Sequence, residues 1–310
     1  MDGTVRKRLG VTRARERHGR FAEVLAHRPA VGMALGALSV SVSPVVIDLS
    51  GTSPGTASFY RCLPALPVLA VLARRERRRT GARVRGRWLP ALAGVLFAGD
   101  MLLWTQAIAD VGAGLSTVLV NVQVVLVPLL AWIIDRERVT AAFALALPIL
   151  VAGVVLTAGL ADGASTGRAP GTGAALAVIA ALCYAGFLFL LRRGDDGLPI
   201  GVYRDVTAAA ALASLVGGAF WQGVDLAPGW AAFGWLLVAS LTSQIVGWLL
   251  VALCSPRLPS HVGASILLLT PAGAVAMAAI FLNERPSPLQ LLGCALILIG
   301  AYVVSVRRRS

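Results

Sequence analysis

The apolar residues of this chain fall in blocks of about twenty, and a helix needs roughly that many to cross a bilayer core. Ten such spans are expected, at 30–50, 53–73, 88–109, 112–134, 140–160, 172–192, 199–221, 229–253, 261–282 and 287–306. The 310 residues are 57% hydrophobic and only 14% charged, where a soluble chain carries about a quarter charged residues. The expected class is therefore an all-α integral membrane protein.

The formal net charge is +13, and 27 of the 28 basic residues are arginine. Their placement follows the positive-inside rule, not a nucleic-acid footprint. Residues 1–29 hold eight basic residues and 74–87 hold eight more. With 135–138, 192–198, 254–260 and the terminal Arg307, Arg308 and Arg309, one side of the membrane carries 24. The other side has only Arg168 and Arg285, and Arg61 and Arg204 fall inside spans. Both termini are thus expected in the cytoplasm of a cell-membrane protein, with the basic tail lying against anionic lipid. Cys62, Cys183, Cys254 and Cys294 all sit in or beside apolar segments without metal-type spacing, and read as small core residues. No cleavable signal peptide is recognisable in the polar, basic first 29 residues.

The chain is also internally duplicated. Glu284-Arg285-Pro286-Ser287-Pro288 opens the last span, with Ser287 as N-cap, Pro288 at the first helical position and Gln290 completing a capping box. Glu137-Arg138 and Thr140 open the fifth span 147 positions earlier, and Gly153 and Gly300 each follow their Glu by 16 residues. Tyr60-Arg61 matches Tyr203-Arg204, and Trp104 matches Trp248. A tandem repeat of about 145 residues accounts for these pairs. Five spans is an odd number, so the two halves insert with opposite orientation. The expected architecture is ten transmembrane helices as two inverted five-helix repeats. The expected organisation is a basic cytoplasmic tail (1–29), a first repeat (30–160), a Gly/Ser/Pro-containing linker (161–171), a second repeat (172–306) and a cytoplasmic C-terminus (307–310). Inverted repeats are associated with alternating-access transport, with the binding site near the midplane where they meet.

Over residues 30–306 this pattern resembles the drug/metabolite transporter superfamily, and within it the EamA-like branch. The resemblance rests on ten helices in two repeats, the Glu-Arg turn before the last helix of each, and an Arg early in the second helix of each. It implies a transporter of small metabolites or drugs, with bacterial exporters of amino acids among the relatives. The halves differ in one respect: Pro271 lies 13 residues before Glu284, whereas Val124 holds the matching place in the first half and the proline is Pro128.

An ionisable side chain in a span costs about 3 kcal/mol on insertion scales and usually faces the interior. Asp100 lies about halfway across the third span, and its repeat mate is Gln244. Such a carboxylate either binds a substrate ammonium, carries a proton after desolvation, or is satisfied by a neighbouring helix. Arg61 is eight residues into its span, so it either snorkels outward or lines the mouth of a cavity and meets a carboxylate. Arg204, beside Asp205, mirrors it on the cytoplasmic side, and Asp48 sits near the outer end of span one. Asn121, Gln123, Thr242 and Ser243 supply neutral polar groups, as do Ser39, Ser41 and Ser43, and Trp104, Tyr184 and Trp248 supply apolar walls or a cation-binding face. Pro44, Pro128 and Pro271 are interior to spans and each frees a backbone carbonyl. Glu137 and Glu284 read as helix-start residues that cap local N–H groups.

No nucleotide-binding Gly-rich loop, catalytic triad or metal-ligand spacing is present in the sequence, so no catalytic residue, metal or cofactor is expected. The expected function is a secondary transporter exporting amino acids, related metabolites or drugs, with protons as a coupling ion if Asp100 titrates. The competing expectation is a membrane-embedded enzyme or non-transporting scaffold, the scaffold being marked by a sealed, well-packed centre around Asp100. Topology tests the arrangement directly: reporter fusions after Arg79 and after Arg309 should report cytoplasm, and one within 163–168 should report the outside. A cytoplasmic signal from 163–168 removes the inverted repeat.

Overall fold

A computed structural model describes residues 28–81, 86, 88–136, 141–158, 168–193, 198–254, 258 and 266–306. The described residues are helical and contain no strand. In chain order the helices are α1 (Pro29–Leu49), α2 (Pro54–Cys62), α3 (Ala65–Thr80), α4 (Trp88–Val111), α5 (Ala113–Val120), α6 (Gln123–Asp135), α7 (Ala141–Thr157), α8 (Pro170–Arg193), α9 (Pro199–Trp221) and α10 (Trp230–Ala239). A π-helical segment, Ser240–Gly247, joins α10 to α11 (Trp248–Cys254), and α12 (Leu269–Phe281) and α13 (Pro288–Val306) complete the chain. Seven stretches are long and apolar enough to cross a membrane, with shorter apolar helical stretches at Leu147–Thr157, Leu269–Phe281 and Pro288–Val303. The chain is a multi-pass membrane protein.

Several expected spans are interrupted, and the interruptions have local causes. Pro64, lacking an N–H, ends α2, and a tight turn from Leu66 N–H to the Leu63 carbonyl starts α3. The α3 helix then runs past the expected end at 73 to Thr80. Arginine is a good helix former, and Arg77, Arg78 and Arg79 complement the negative end of the helix dipole. Gly81, in the left-handed conformation at φ +70°, closes it with a bond to the Arg77 carbonyl.

Span four breaks at Asn121–Val122, where three-residue turns replace the α-helical ladder. The ninth breaks at Leu268, 147 positions later. The two halves therefore bend at matching points although their prolines do not match. Pro271 lies in the first turn of α12, where a missing N–H costs little.

The packing follows the duplication. Helix α4 packs on α8, as α1 packs on the α10–π–α11 span; α1 packs on α12, as α6 and α5 pack on α8. Exchanging the halves carries each of these pairs into the other. Two bundles result. Grouped by this exchange, one holds α4, α5, α6, α8 and α9, and the other holds α1, α2, α3, the α10–π–α11 span and α12, with α2–α3 and α9 also packed closely on each other across the boundary. Backbones touch within them: a Cβ on Gly94 would lie 2.5 Å from the Val206 carbonyl oxygen, and one on Gly36 would lie 3.0 Å from that of Gly247.

The α7–α13 pair crosses on the same symmetry. Leu150 fills the space beside Gly300, and Ile297, 147 positions after Leu150, fills the space beside Gly153. Both side chains are buried. Small residues permit this close crossing where lipid offers no hydrophobic drive for helices to associate. The capping box is formed: Ser287 N–H donates to Gln290 Oε1 at 2.9 Å, and Gln290 N–H donates to Ser287 Oγ at 3.2 Å.

A Cβ on Gly293 would lie 2.5 Å from the Thr157 nitrogen and 2.7 Å from the Gly153 oxygen, both backbone atoms that cannot rotate away. Gly293→Ala should therefore cost about 1–3 kcal/mol of overpacking and lower the thermal midpoint in detergent. Gly234→Ala, with nothing within 4 Å, should leave it unchanged or raise it slightly.

Candidate functional site

The polar centre lies between the two bundles. Arg61, near the end of α2, is buried at 6% exposure. Its guanidinium sits over the Trp104 ring, 4.8 Å from the centroid, and its Nε donates to Ser243 Oγ at 3.2 Å. A weakly hydrated, planar cation suits an aromatic face, and the contact is stronger when desolvated. Trp104 comes from α4 and Ser243 from the π-helical segment, so Arg61 meets both bundles.

Asp100 stands one turn before Trp104 on α4, also at 6% exposure. Its Oδ1 is fully buried and has no hydrogen-bond partner among the described residues. It attracts the Arg61 charge electrostatically. An unpaired buried oxygen on a carboxylate is costly, and such groups persist where a ligand, ion or proton satisfies them.

The opposite wall is aromatic and amide. Tyr203 of α9 donates its hydroxyl to Gln244 Oε1 at 2.6 Å, and Gln244 Nε2 points at Cys62 Sγ, 3.8 Å away. The Trp248 ring lies 6.4 Å from that of Tyr203 and 6.3 Å from that of Tyr184, centroid to centroid. Tyr184 continues to Phe97, whose ring stacks on Phe187 at 4.6 Å. Tyr184, Tyr203 and Trp248 retain partial exposure although helices of both bundles surround them.

Within the π-helical segment Ser240, Ser243, Gln244 and Gly247 are all buried. Their i, i+3, i+4, i+7 spacing is that of one helical face, turned here toward the interior. π-Bulges are frequent at functional sites.

A model of the EamA-like transporter family matches residues 28–159 and again residues 171–306. The chain belongs to the EamA-like transporter family. It is thus a membrane transporter of the drug/metabolite type, with the two family repeats falling on the two halves of the duplication. Among solved structures, one titled only as a crystal structure of protein is similar in fold, with a TM-score of 0.59 at 18% identity, over 90% of this chain and 99% of that one. No curated protein matches.

In this EamA-like chain the expected site residues separate into two groups. Arg61, Asp100, Trp104, Tyr184, Gln244 and Trp248 gather at the centre. Arg204 does not join them: its Nε and Nη2 donate to Asp205 Oδ1 at 2.9 and 2.6 Å, making an ion pair between neighbours on α9. The residue before it, Tyr203, takes the central place instead. The Tyr-Arg pair is thus used differently in the two halves, since Tyr60 turns outward to donate to the Leu226 carbonyl at 2.7 Å. Asn121 Nδ2 donates to the Thr117 carbonyl one turn earlier, and Gln123 begins α6 with a buried Oε1 that has no partner among the described residues, so both stand at the break in span four. Ser41 ties α1 to α12 by donating to the Thr270 carbonyl at 2.9 Å, and Thr270 donates to the Ala37 carbonyl.

Glu284 caps a helix, but not the one that follows it. Its Oε1 accepts from Ala113 N–H at 2.6 Å and its Oε2 from Gly114 N–H at 3.1 Å, at the start of α5. Gly112, at φ +96°, makes room: a Cβ there would lie 2.9 Å from Glu284 Oε1. Burial pushes the Glu284 carboxyl upward, against the lowering influence of the two N–H bonds. Glu137 lies outside the described residues.

Tyr203 is a testable member of the centre. Tyr203→Phe leaves the buried Gln244 Oε1 without its donor, at a cost of about 1–3 kcal/mol. A lowered thermal midpoint together with impaired transport is expected. An unchanged midpoint would show that Gln244 finds another donor.

Proposed function

We propose that this chain is a secondary transporter that moves small zwitterionic metabolites, amino acids or their relatives, out of the cytoplasm by alternating access. Its ten spans form two inverted repeats in the cell membrane, with both termini cytoplasmic. Residues 1–29 form a basic tail, 161–171 link the repeats and 307–310 are the C-terminal end. The observation that carries the reading is the pair of opposite charges at the bundle interface. Arg61 is stacked and donates one bond to Ser243, and Asp100 presents an oxygen with no partner among the described residues. A substrate carboxylate fits the guanidinium, and a substrate ammonium fits Asp100. The aromatic wall of Tyr184, Tyr203 and Trp248 faces the apolar remainder of such a molecule.

In this reading substrate ammonium and a proton occupy Asp100 alternately. That alternation would couple export to proton entry. Arg61 positions the carboxylate, and Trp104 fixes Arg61. A purely structural scaffold gains nothing from two charges buried where the bundles meet, because an unpaired buried charge lowers stability.

Asp100→Asn keeps the shape and the hydrogen-bonding capacity but removes the charge. It should insert and fold as the unsubstituted protein does. In proteoliposomes it should lose at least about tenfold in amino-acid efflux, or lose its dependence on a pH gradient, which is the scale of about 1.4 kcal/mol. Efflux at the unsubstituted rate with unchanged pH dependence would remove Asp100 from the mechanism. Pooled amino acids and cationic drugs, assayed side by side, distinguish zwitterions from simple cations as substrates.

A further inference from the structure

Two carboxylates outside the centre make the same unusual contact at opposite ends of the molecule. Glu284, in the turn between α12 and α13, accepts from Ala113 and Gly114 N–H at 2.6 and 3.1 Å. Glu76, near the end of α3, accepts from Ile200 N–H through Oε1 at 3.2 Å and from Gly201 N–H through Oε2 at 2.8 Å. Each uses both oxygens on two successive backbone donors in the first turn of a helix. Each also joins one bundle to the other: Glu284 follows α12 and caps α5, and Glu76 is on α3 and caps α9.

The ends are assigned by the chain itself. Glu284 shares its end with the turn at Gly51–Ser53, with Gly112 and with the loop at 222–229. There Ser53 Oγ donates to the Gly223 carbonyl at 2.7 Å, and Thr56 Oγ1 accepts from Asp225 N–H at 2.9 Å. Glu76 lies at the far end of the α2–α3 span, among Arg74, Arg75, Arg77, Arg78 and Arg79. The polar centre of Arg61, Asp100 and Gln244 lies between these ends, on the same bundle interface.

We infer that Glu284 and Glu76 are the two latches of the transport cycle: Glu284 holds the bundles together at the end away from the arginine-rich segment, and Glu76 holds them at the arginine-rich end. The inference rests on the alternating-access reading above. Two charge-assisted bonds to helix-start N–H groups are strong enough to hold a closed end. They are also separable without stranding a charge in hydrocarbon, because Glu284 lies in a turn, Glu76 lies among arginines toward the end of α3, and both are only half-buried. A helix start released by its carboxylate is met by water at an opened mouth. With both latches made, the bundles are held at both ends, and opening one end requires breaking one latch while the other stays.

Hydrogen–deuterium exchange of the full chain in lipid nanodiscs tests this. In Glu284→Gln, amides around Ala113 and Gly114 should exchange about five- to tenfold faster, the scale of one lost cap. The Ile200–Gly201 region should exchange more slowly than in the unsubstituted protein, because opening one end tightens the other. Glu76→Gln should give the reverse pattern. A substrate-efflux assay of the unsubstituted protein is run alongside. If each variant speeds exchange only at its own helix start, with the far end unmoved, the carboxylates are local caps and the latch is overturned. If either variant changes neither end, it is likewise overturned. If the unsubstituted protein catalyses no efflux of any pooled substrate, the alternating-access reading fails, whatever the exchange data show. Should Glu284→Gln fail to fold, Glu284→Asp, one methylene too short to reach both amides, gives the same readout.

Discussion

Hydrocarbon offers no hydrogen bonds, so every backbone N–H and C=O in a span must find a partner within the protein. This constraint explains both the helices and the places where they fail. The α2–α3 break at Pro64, the turn at Asn121–Val122, the π-helical segment and the break at Leu268 all lie within apolar segments. Each is tolerable because it is enclosed between helices. Freed groups are recovered across the packing, as when Ser41 donates to the Thr270 carbonyl beside the ninth-span break. Two of the irregularities carry the site: Arg61 precedes the Pro64 break by one turn, and Ser243 and Gln244 are within the π-helical segment.

The centre is expensive. Arg61 and Asp100 are both buried, yet each has only part of its bonding capacity met among the described residues. Replacing such a pair by packed apolar residues is often neutral or stabilising in other proteins. Its retention at the meeting surface of two bundles gives it the character of a binding site. Trp104 offsets part of the cost of Arg61, and Tyr203 commits the acceptor of Gln244. The aromatic side chains therefore both line the centre and set its polar groups in place.

Duplication shaped the scaffold more faithfully than the site. Leu150 against Gly300 and Ile297 against Gly153 repeat one contact across the α7–α13 crossing, and the breaks at Asn121 and Leu268 keep the same spacing. At the centre the halves have diverged. Trp104 and Trp248 hold matching places, but one lies under a cation and the other is tilted against tyrosines. Arg61 is central while Arg204 pairs with Asp205. A scaffold tolerates symmetry because both copies meet the same bilayer, whereas an asymmetric substrate demands unlike walls.

The sequence by itself determined the helical class, the repeat and most of the central residues, because apolar block length, residue spacing and a charge inside an apolar run are local properties. Asp100 stands out for that reason, Gln244 follows from it by repeat spacing, and Trp104 and Trp248 are a repeat pair in their own right. Tyr203 was missed although Tyr60-Arg61 and Tyr203-Arg204 were visible as a pair. Which member of a Tyr-Arg pair turns inward depends on the rotation of α9 against α4, and no local pattern encodes that. The break at Pro64 was legible in principle, from a proline one turn after Tyr60, whereas the π-helical segment had no sequence mark. Glu284 was recognised as a helix-start residue, but the helix it serves is α5, far away in the chain. Only tertiary structure decided that, because a carboxylate reaches whichever unpaired N–H groups the packing brings to it.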